Sequence, residues 1–254
     1  MAGDEKTMLQ GILGGFSVPD DAVLVVHSAI KGLSAAGYRA EAMIDALLAH
    51  LRHGTLLMPT MTWRTVTPAN PVFDELATPS HTGVLTEVFR TRYATARSLH
   101  PTHSVAGVGP LVKTLLSTHH LGDTPVPASS PYGIMREYPA YILMVGVGLE
   151  CCTAIHHPEE VIAPDLYVKP AAEAEAYELR ARDGRVIAFH ARRHRRLDRD
   201  FPKYAPILAA KGQYLAGEVA GVPWSIVRAA DLLREEFARL VERPDFNLAD
   251  GGPR

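Results

Sequence analysis

Apolar residues in this chain fall into short, dense runs separated by polar segments, the pattern of an alternating strand and helix architecture. The first clear run is Ala22 to His27 (AVLVVH), β-branched and almost wholly apolar, which predicts a strand buried on both faces. Ala40 to Leu51 then places Met43, Ile44, Leu47, Leu48 and Leu51 at helical spacing, with Gly54 as a stop. Thr55 to Pro59 (TLLMP) predicts a second buried strand. Strand, helix and strand in this order imply two parallel strands and a right-handed crossover. Before them, Asp4 to Leu13 reads as a capped amphipathic helix stopped by Gly14 and Gly15.

Thr60 to Thr82 carries prolines and Trp63 and reads as a long functional loop. Gly83 to Arg92 predicts a helix with Leu85, Val88 and Phe89 inward, and Val105 to Val108 a third short strand. Pro110 then sits where a helix opens. A second proline-bearing loop, Thr118 to Pro131, precedes the densest stretch of the chain, Tyr141 to Ala163 (YILMVGVGLECCTAIHHPEEVIA). That stretch predicts a buried strand, a glycine turn, and a helix start delivering His156, His157, Glu159 and Glu160 at the strand's C-terminal end. Open α/β sheets keep their ligands there.

Beyond it, Ala174 to Arg182 and Arg185 to Arg192 flank Asp183-Gly184, a strong hairpin signal. Phe201 to Lys211 and Ser225 to Val241 read as helices, and the tail from Pro244 as loose. The fold class expected is α/β, with a mixed, largely parallel central sheet flanked by helices and an added antiparallel β-hairpin in the C-terminal half. Residues 1 to 254 are read as a single α/β domain, with a C-terminal sub-lobe from about residue 165.

Composition narrows the function classes. At 254 residues, 47% hydrophobic and 21% charged, the chain is an ordinary globular protein with a large core. The longest apolar run, Ala140 to Leu149, is too short to span a bilayer. The first ten residues lack an apolar targeting core, and the only two cysteines are adjacent, so a reducing, cytoplasmic setting is expected. A net charge of −2 gives no argument for nucleic acid; the basic run Arg192-Arg193-His194-Arg195-Arg196 reads as a solvated face or as a contact to phosphate, and its lack of aromatic interleaving counts against RNA.

His156 and Glu159, at i and i+3, share a helix face. A carboxylate there would orient an imidazole as a general base. The plainer reading is a solvated helix start, and Pro158 restricts where that helix begins. A metal-dependent hydrolase is the rival: His156, His157, Glu159 and Glu160, or His100 and His103, are zinc-type ligands, but none has H-E-x-x-H spacing. No metal is expected. Cys151 and Cys152 read as packing residues, and Gly146-Val147-Gly148 lacks the third glycine of a dinucleotide loop.

The order of these blocks is more specific than any one of them. VHSAIKGL, GTLLMPTMTW, TPSHTGVLTEVFR, RSLHPTHSVAGVG, SSPYGI and ILMVGVGLECCTAIHHPEE together resemble the aminoglycoside 3-N-acetyltransferase family over about Val23 to Leu240. The resemblance implies a coenzyme A-dependent N-acyltransferase unrelated to the GNAT fold. It would move an acetyl or other acyl group from acyl-CoA, as co-substrate, to a primary amine of an aminoglycoside-like or other natural-product substrate. It places the catalytic histidine on His156 and its acidic neighbour on Glu159. The coenzyme A site falls on His27, Ser28, Lys31, Ser98, Pro101 and Ser104. Trp63, Glu160 and His157 are left as candidate substrate contacts. A small-molecule amine is the partner this implies, with no nucleic acid and no membrane, and a homodimer is compatible with it. A non-catalytic coenzyme A-binding protein is the other outcome this resemblance allows. The chain departs from the family at Ala29, where a second serine is expected, at Cys152, commonly Asn, and at Pro158.

Overall fold

The structure, a computed structural model, describes residues 4–249. Ten strands form two sheets among those residues: β1 (Val23–Ser28), β2 (Thr55–Pro59), β3 (Val72–Asp74), β4 (Ala96–Arg97), β5 (Val105–Val108), β6 (Ala140–Val145), β7 (Glu175–Arg180), β8 (Val186–Ala191), β9 (Tyr214–Val219) and β10 (Val222–Arg228). Seven of them build the main sheet in the order β4-β5-β2-β1-β6-β10-β9. Its centre is parallel, β1 pairing with β2 on one side and β6 on the other, and antiparallel strands extend both flanks.

The all-apolar runs expected of doubly buried strands are found there. Leu24 and Val26 belong to a core on one face, with the helices Glu5–Gly15, Ala40–His50 and Val84–Arg92. Val23 and Val25 face a second core with Ile142, Met144 and helix Ala229–Glu242. Burial of each such side chain is worth about 1.5–3 kcal/mol, so two fully covered faces hold the central strands rigidly. Asp4 caps the first helix through its carboxylate, which accepts from the Thr7 amide at 2.9 Å; that helix runs on through Gly14 and Gly15.

Two expectations need correction. Ser225 to Val241 is not one helix: Val222–Arg228 is strand β10, and the helix begins at Ala229. The β9–β10 turn is Ala220-Gly221, both with positive φ (49° and 74°), so it is a two-residue hairpin without the usual Asn-Gly. The tail from Pro244 is also not loose as far as Ala249. Asn247 and Leu248 are buried, and Lys203 Nζ donates to the Phe246 and Leu248 carbonyls. What that expectation says of residues 250–254 lies outside the described residues.

The Asp183-Gly184 hairpin forms as expected, β7 against β8. It recruits β3 from the long Thr60 to Thr82 loop in parallel, and this small sheet has its own apolar cluster around Phe73, Tyr177, Leu179 and Phe189. Residues after 165 therefore serve both sheets, because β9, β10 and the last helix return to the main one.

Candidate active site

The parallel trio β2, β1 and β6 ends on one edge of the sheet, and a cavity of about 870 Å³ opens there. His27 and Ser28 at the end of β1, Lys31 behind them, Trp63, His103 and His156 all line it. The turn out of β6 is made by Gly146 at φ 69°; a Cβ there would stand 2.3 Å from the Ala29 carbonyl oxygen. Only glycine lets the two loops lie this close.

A turn of 3-10 helix, Thr153–Ile155, feeds the helix His156–Ile162. Pro158 is its third residue, within the first turn, where a missing N–H costs no intrahelical bond. His156 thus opens the helix and Glu159 stands one turn later on the same face. His156 Nδ1 and Glu159 Oε2 lie 2.8 Å apart. A carboxylate only accepts, so Nδ1 carries the proton and the Nε2 lone pair is left free.

Glu159 is completely buried, and three groups hold it. Besides His156, Arg199 Nε donates to both carboxylate oxygens at 3.0 and 3.1 Å, and Asn247 Nδ2 donates to Oε1 at 3.0 Å. Burial pushes this carboxyl up, but the charge and hydrogen bonds of His156 and Arg199 outweigh it and bring the pKa down to about 2. Behind it, Asn247 Nδ2 also donates to Glu236 Oε1 at 2.8 Å, and its Oδ1 accepts from the Tyr204 hydroxyl at 2.7 Å. Burial, with the Glu159 charge beside it, raises Glu236 well above the carboxylate range and keeps it neutral.

A second histidine backs the first. The His194 ring packs on His156 with centroids 4.3 Å apart, while Phe201 meets His156 edge-on at 5.2 Å. His194 Nε2 is 2.6 Å from Glu160 Oε1. Burial holds His194 well below the usual imidazole range and raises Glu160 to about 7, so the pair is driven toward its neutral form.

The model of the aminoglycoside 3-N-acetyltransferase family matches residues 25–240, most of the chain. The chain belongs to this family. It is 30% identical over 155 residues to aminoglycoside N(3)-acetyltransferase IV of Salmonella sp, covering 61% of this chain and 58% of that protein. It therefore spans about three fifths of the length of that relative. Among solved structures, the apoenzyme of aminoglycoside acetyltransferase AAC(3)-IVa superposes with a TM-score of 0.80 at 24% identity, over 100% of this chain and 96% of that one. AAC-IIIb, in a binary complex with CoASH, gives 0.76 at 22%, over 98% of each chain. Identities this low speak to the fold.

Within this aminoglycoside 3-N-acetyltransferase fold the expected site residues divide. His27, Ser28, Lys31, Trp63 and His156 meet at the cavity, with Glu159 directly behind His156. His27 is buried, its Nε2 is enclosed with no hydrogen-bond partner among the described residues, and burial lowers its pKa to about 4, so it is a neutral group in the cavity wall. Ser98, Pro101 and Ser104 are not brought to the cavity. Ser98 Oγ is bonded to His119 Nδ1 at 2.9 Å, and the Pro101 carbonyl accepts from Thr62 Oγ1 at 2.6 Å. Ser104 Oγ donates to the Thr60 carbonyl at 2.8 Å and accepts from Arg97 Nε at 3.0 Å. Pro101 and Ser104 pin the Thr60 to Thr82 loop, whereas Ser98 is tied to the Thr118 to Pro131 loop through His119. Nor do Glu160 and His157 line the cavity: Glu160 accepts from the Val126 amide, and His157 Nδ1 donates to the Val126 carbonyl at 3.0 Å.

Arg199, Asn247 and His194 were not anticipated. Arg199 lies just beyond a basic run that reads as solvated, and Asn247 in a tail with no periodic signal. At Ala29 the backbone, not the side chain, does the work: its N–H donates to the Val145 carbonyl at 2.8 Å. Cys152 is a buried core residue, in line with a packing role.

Proposed function

We propose that the protein is an acyl-CoA-dependent N-acyltransferase that transfers an acetyl or other acyl group directly to a primary amine, with His156 as general base. The observation that carries this is the 2.8 Å contact between His156 Nδ1 and Glu159, which leaves Nε2 as the basic nitrogen of a side chain lining the cavity. The relatives' names, and the CoASH-bound AAC-IIIb structure, supply the donor and the amine acceptor.

The chemistry follows from the geometry. The neutral amine attacks the thioester carbonyl; a C–N bond forms, the C–S bond breaks, and His156 Nε2 takes the amine proton. The resulting imidazolium is stabilised by the Glu159 carboxylate, which the Arg199 guanidinium keeps ionised. That proton then passes to the departing thiolate, giving amide and free coenzyme A. Lys31 and Ser28 at the end of β1 are suited to the donor's phosphates and amides. Holding donor and acceptor together in one cavity removes much of the entropic cost of the encounter.

Direct transfer fits the cysteines better than a covalent relay. Burial, reinforced by Glu150, raises the Cys151 thiol, and burial pushes Cys152 up to about 12, so neither is a ready thiolate. The hydrolase alternative needs a converging ligand set, and among the described residues no three His, Cys, Asp or Glu side chains could hold a metal ion. Thiol release from acetyl-CoA with a panel of amines, for the wild type and His156→Ala, tests the reading. A variant that keeps full activity on an accepted amine would refute it.

A further inference from the structure

Trp63 stands between two cavities. One holds His27, Ser28, Lys31 and His156. The other, about 830 Å³, lies against the strip Arg193 to Leu197 and has His194, the ring that packs on His156, in its wall. If the first cavity takes the acyl carrier, the second is the approach left for the acceptor.

The charge around that approach has a definite sign. Of its carboxylates, Glu173 is paired with Lys169 at 3.2 Å and Glu175 with Arg193 at 2.6 Å. Asp165 forms no ion pair among the described residues. Against it stand Arg195 and Arg196, exposed and also without ion pairs; Arg195 Nε donates only to the Val168 carbonyl at 3.2 Å. Across Trp63, the Arg64 guanidinium lies 4.8 Å over the indole ring, with no carboxylate partner among the described residues. Glu150, in the wall of the carrier cavity, is turned onto the Gly148 amide. Among the described residues, the charges around Trp63 that have no ion pair are thus the three guanidiniums and Lys31, against the Asp165 and Glu150 carboxylates. A polycation would meet repulsion here. An oxyanion would meet planar donor forks suited to two-pronged hydrogen bonding.

We propose that the acceptor is an amine that also carries an oxyanion group, a carboxylate or a phosphate ester, received by Arg195, Arg196 and Arg64 while the amine reaches His156. This rests on the acyltransferase reading for the amine, but the charge selection is read by binding alone. The experiment is calorimetric titration of the coenzyme A-saturated protein with glucosamine, glucosamine 6-phosphate, muramic acid and gentamicin. These supply in turn a bare amino sugar, its phosphate ester, a carboxylate-bearing amino sugar and a polycation. At least one anionic amino sugar should bind about tenfold or more tighter than glucosamine, and gentamicin more weakly than glucosamine. Which anionic sugar gains identifies the oxyanion. The advantage should shrink at raised ionic strength and vanish in the Arg195→Gln, Arg196→Gln double variant. Both side chains are exposed, so that variant should keep its melting temperature. Gentamicin binding tightest, anionic sugars binding no better than glucosamine, or an advantage that survives in the double variant would overturn the proposal. Thiol release measured on the same panel separates the two readings: tight binding of an anionic sugar without turnover supports the charge selection and counts against the transferase.

Discussion

Asn247 Nδ2 donates to Glu159 Oε1 at 3.0 Å across 88 residues of chain. The C-terminal segment therefore closes the back of the site, fixing the carboxylate that fixes His156. Asn247→Ala removes this bond, the one to Glu236 and the one from Tyr204. Leaving such buried groups unpaired costs about 1–3 kcal/mol each at most, so the denaturation midpoint should fall clearly. Thiol-release kcat should drop while the coenzyme A dissociation constant holds. An unchanged kcat would show that the tail only seals the fold.

Arg199 is the counter-charge of a completely buried carboxylate. Breaking a buried pair from one side costs about 3–5 kcal/mol, so Arg199→Met should be severely destabilised at neutral pH. The sign is set by Glu159, whose folded pKa is depressed from 4.5 to about 2. Its stabilising contribution is complete above 4.5 and is lost as pH falls through about 2. The variant's deficit should therefore shrink in acid. Denaturant melts of both proteins between pH 7 and 3 check this, and a deficit independent of pH would contradict it.

Glu160 gives the opposite slope. Burial raises its folded pKa from 4.5 to about 7, so its ionisation weakens the fold as pH rises through that window. Glu160→Gln can keep contacts to Thr124, Val126 and His194 without that charge. Its stability relative to wild type should rise between pH 4.5 and 7 and then level off. Thermal melts across that range decide it; a relative loss with rising pH would mean that His194 and Glu160 form a charged pair.

Ser104 and Lys31 separate support from ligand contact. Ser104→Ala strips a partner from Arg97 and Thr60 and should cost about 1–3 kcal/mol of stability with KM for acetyl-CoA unchanged. Lys31→Ala, at the cavity wall, should raise that KM with stability altered by less than about 0.5 kcal/mol. Swapped outcomes would return Ser104 to the carrier site.

The central strands and the His156 helix were legible in the sequence because each had a local cause. β1, β2 and β6 are continuous apolar runs, and Pro158 can only sit in a first turn. Elements held by tertiary contacts were not. Trp224 to Val227 continues into the helix that follows, so one apolar run hid a strand and a helix, and Ala220-Gly221 hid the turn before it. The same limit applies to the site. His156 and Glu159 are three residues apart and could be paired on paper. Arg199, Asn247 and His194 arrive from 34 to 88 residues away, and only packing brings them in. Ser98 and Ser104 show the converse: hydroxyls expected at a ligand are consumed by the loops they brace.

The most direct test of the whole account is the pH dependence of thiol release from acetyl-CoA, with an accepted amine, for wild type and His156→Gln. Loss of a general base should lower kcat by about 10²–10⁴-fold, and the coenzyme A dissociation constant should stay as it was. A His156→Gln protein with wild-type kcat and an unaltered pH profile would contradict His156 as the base.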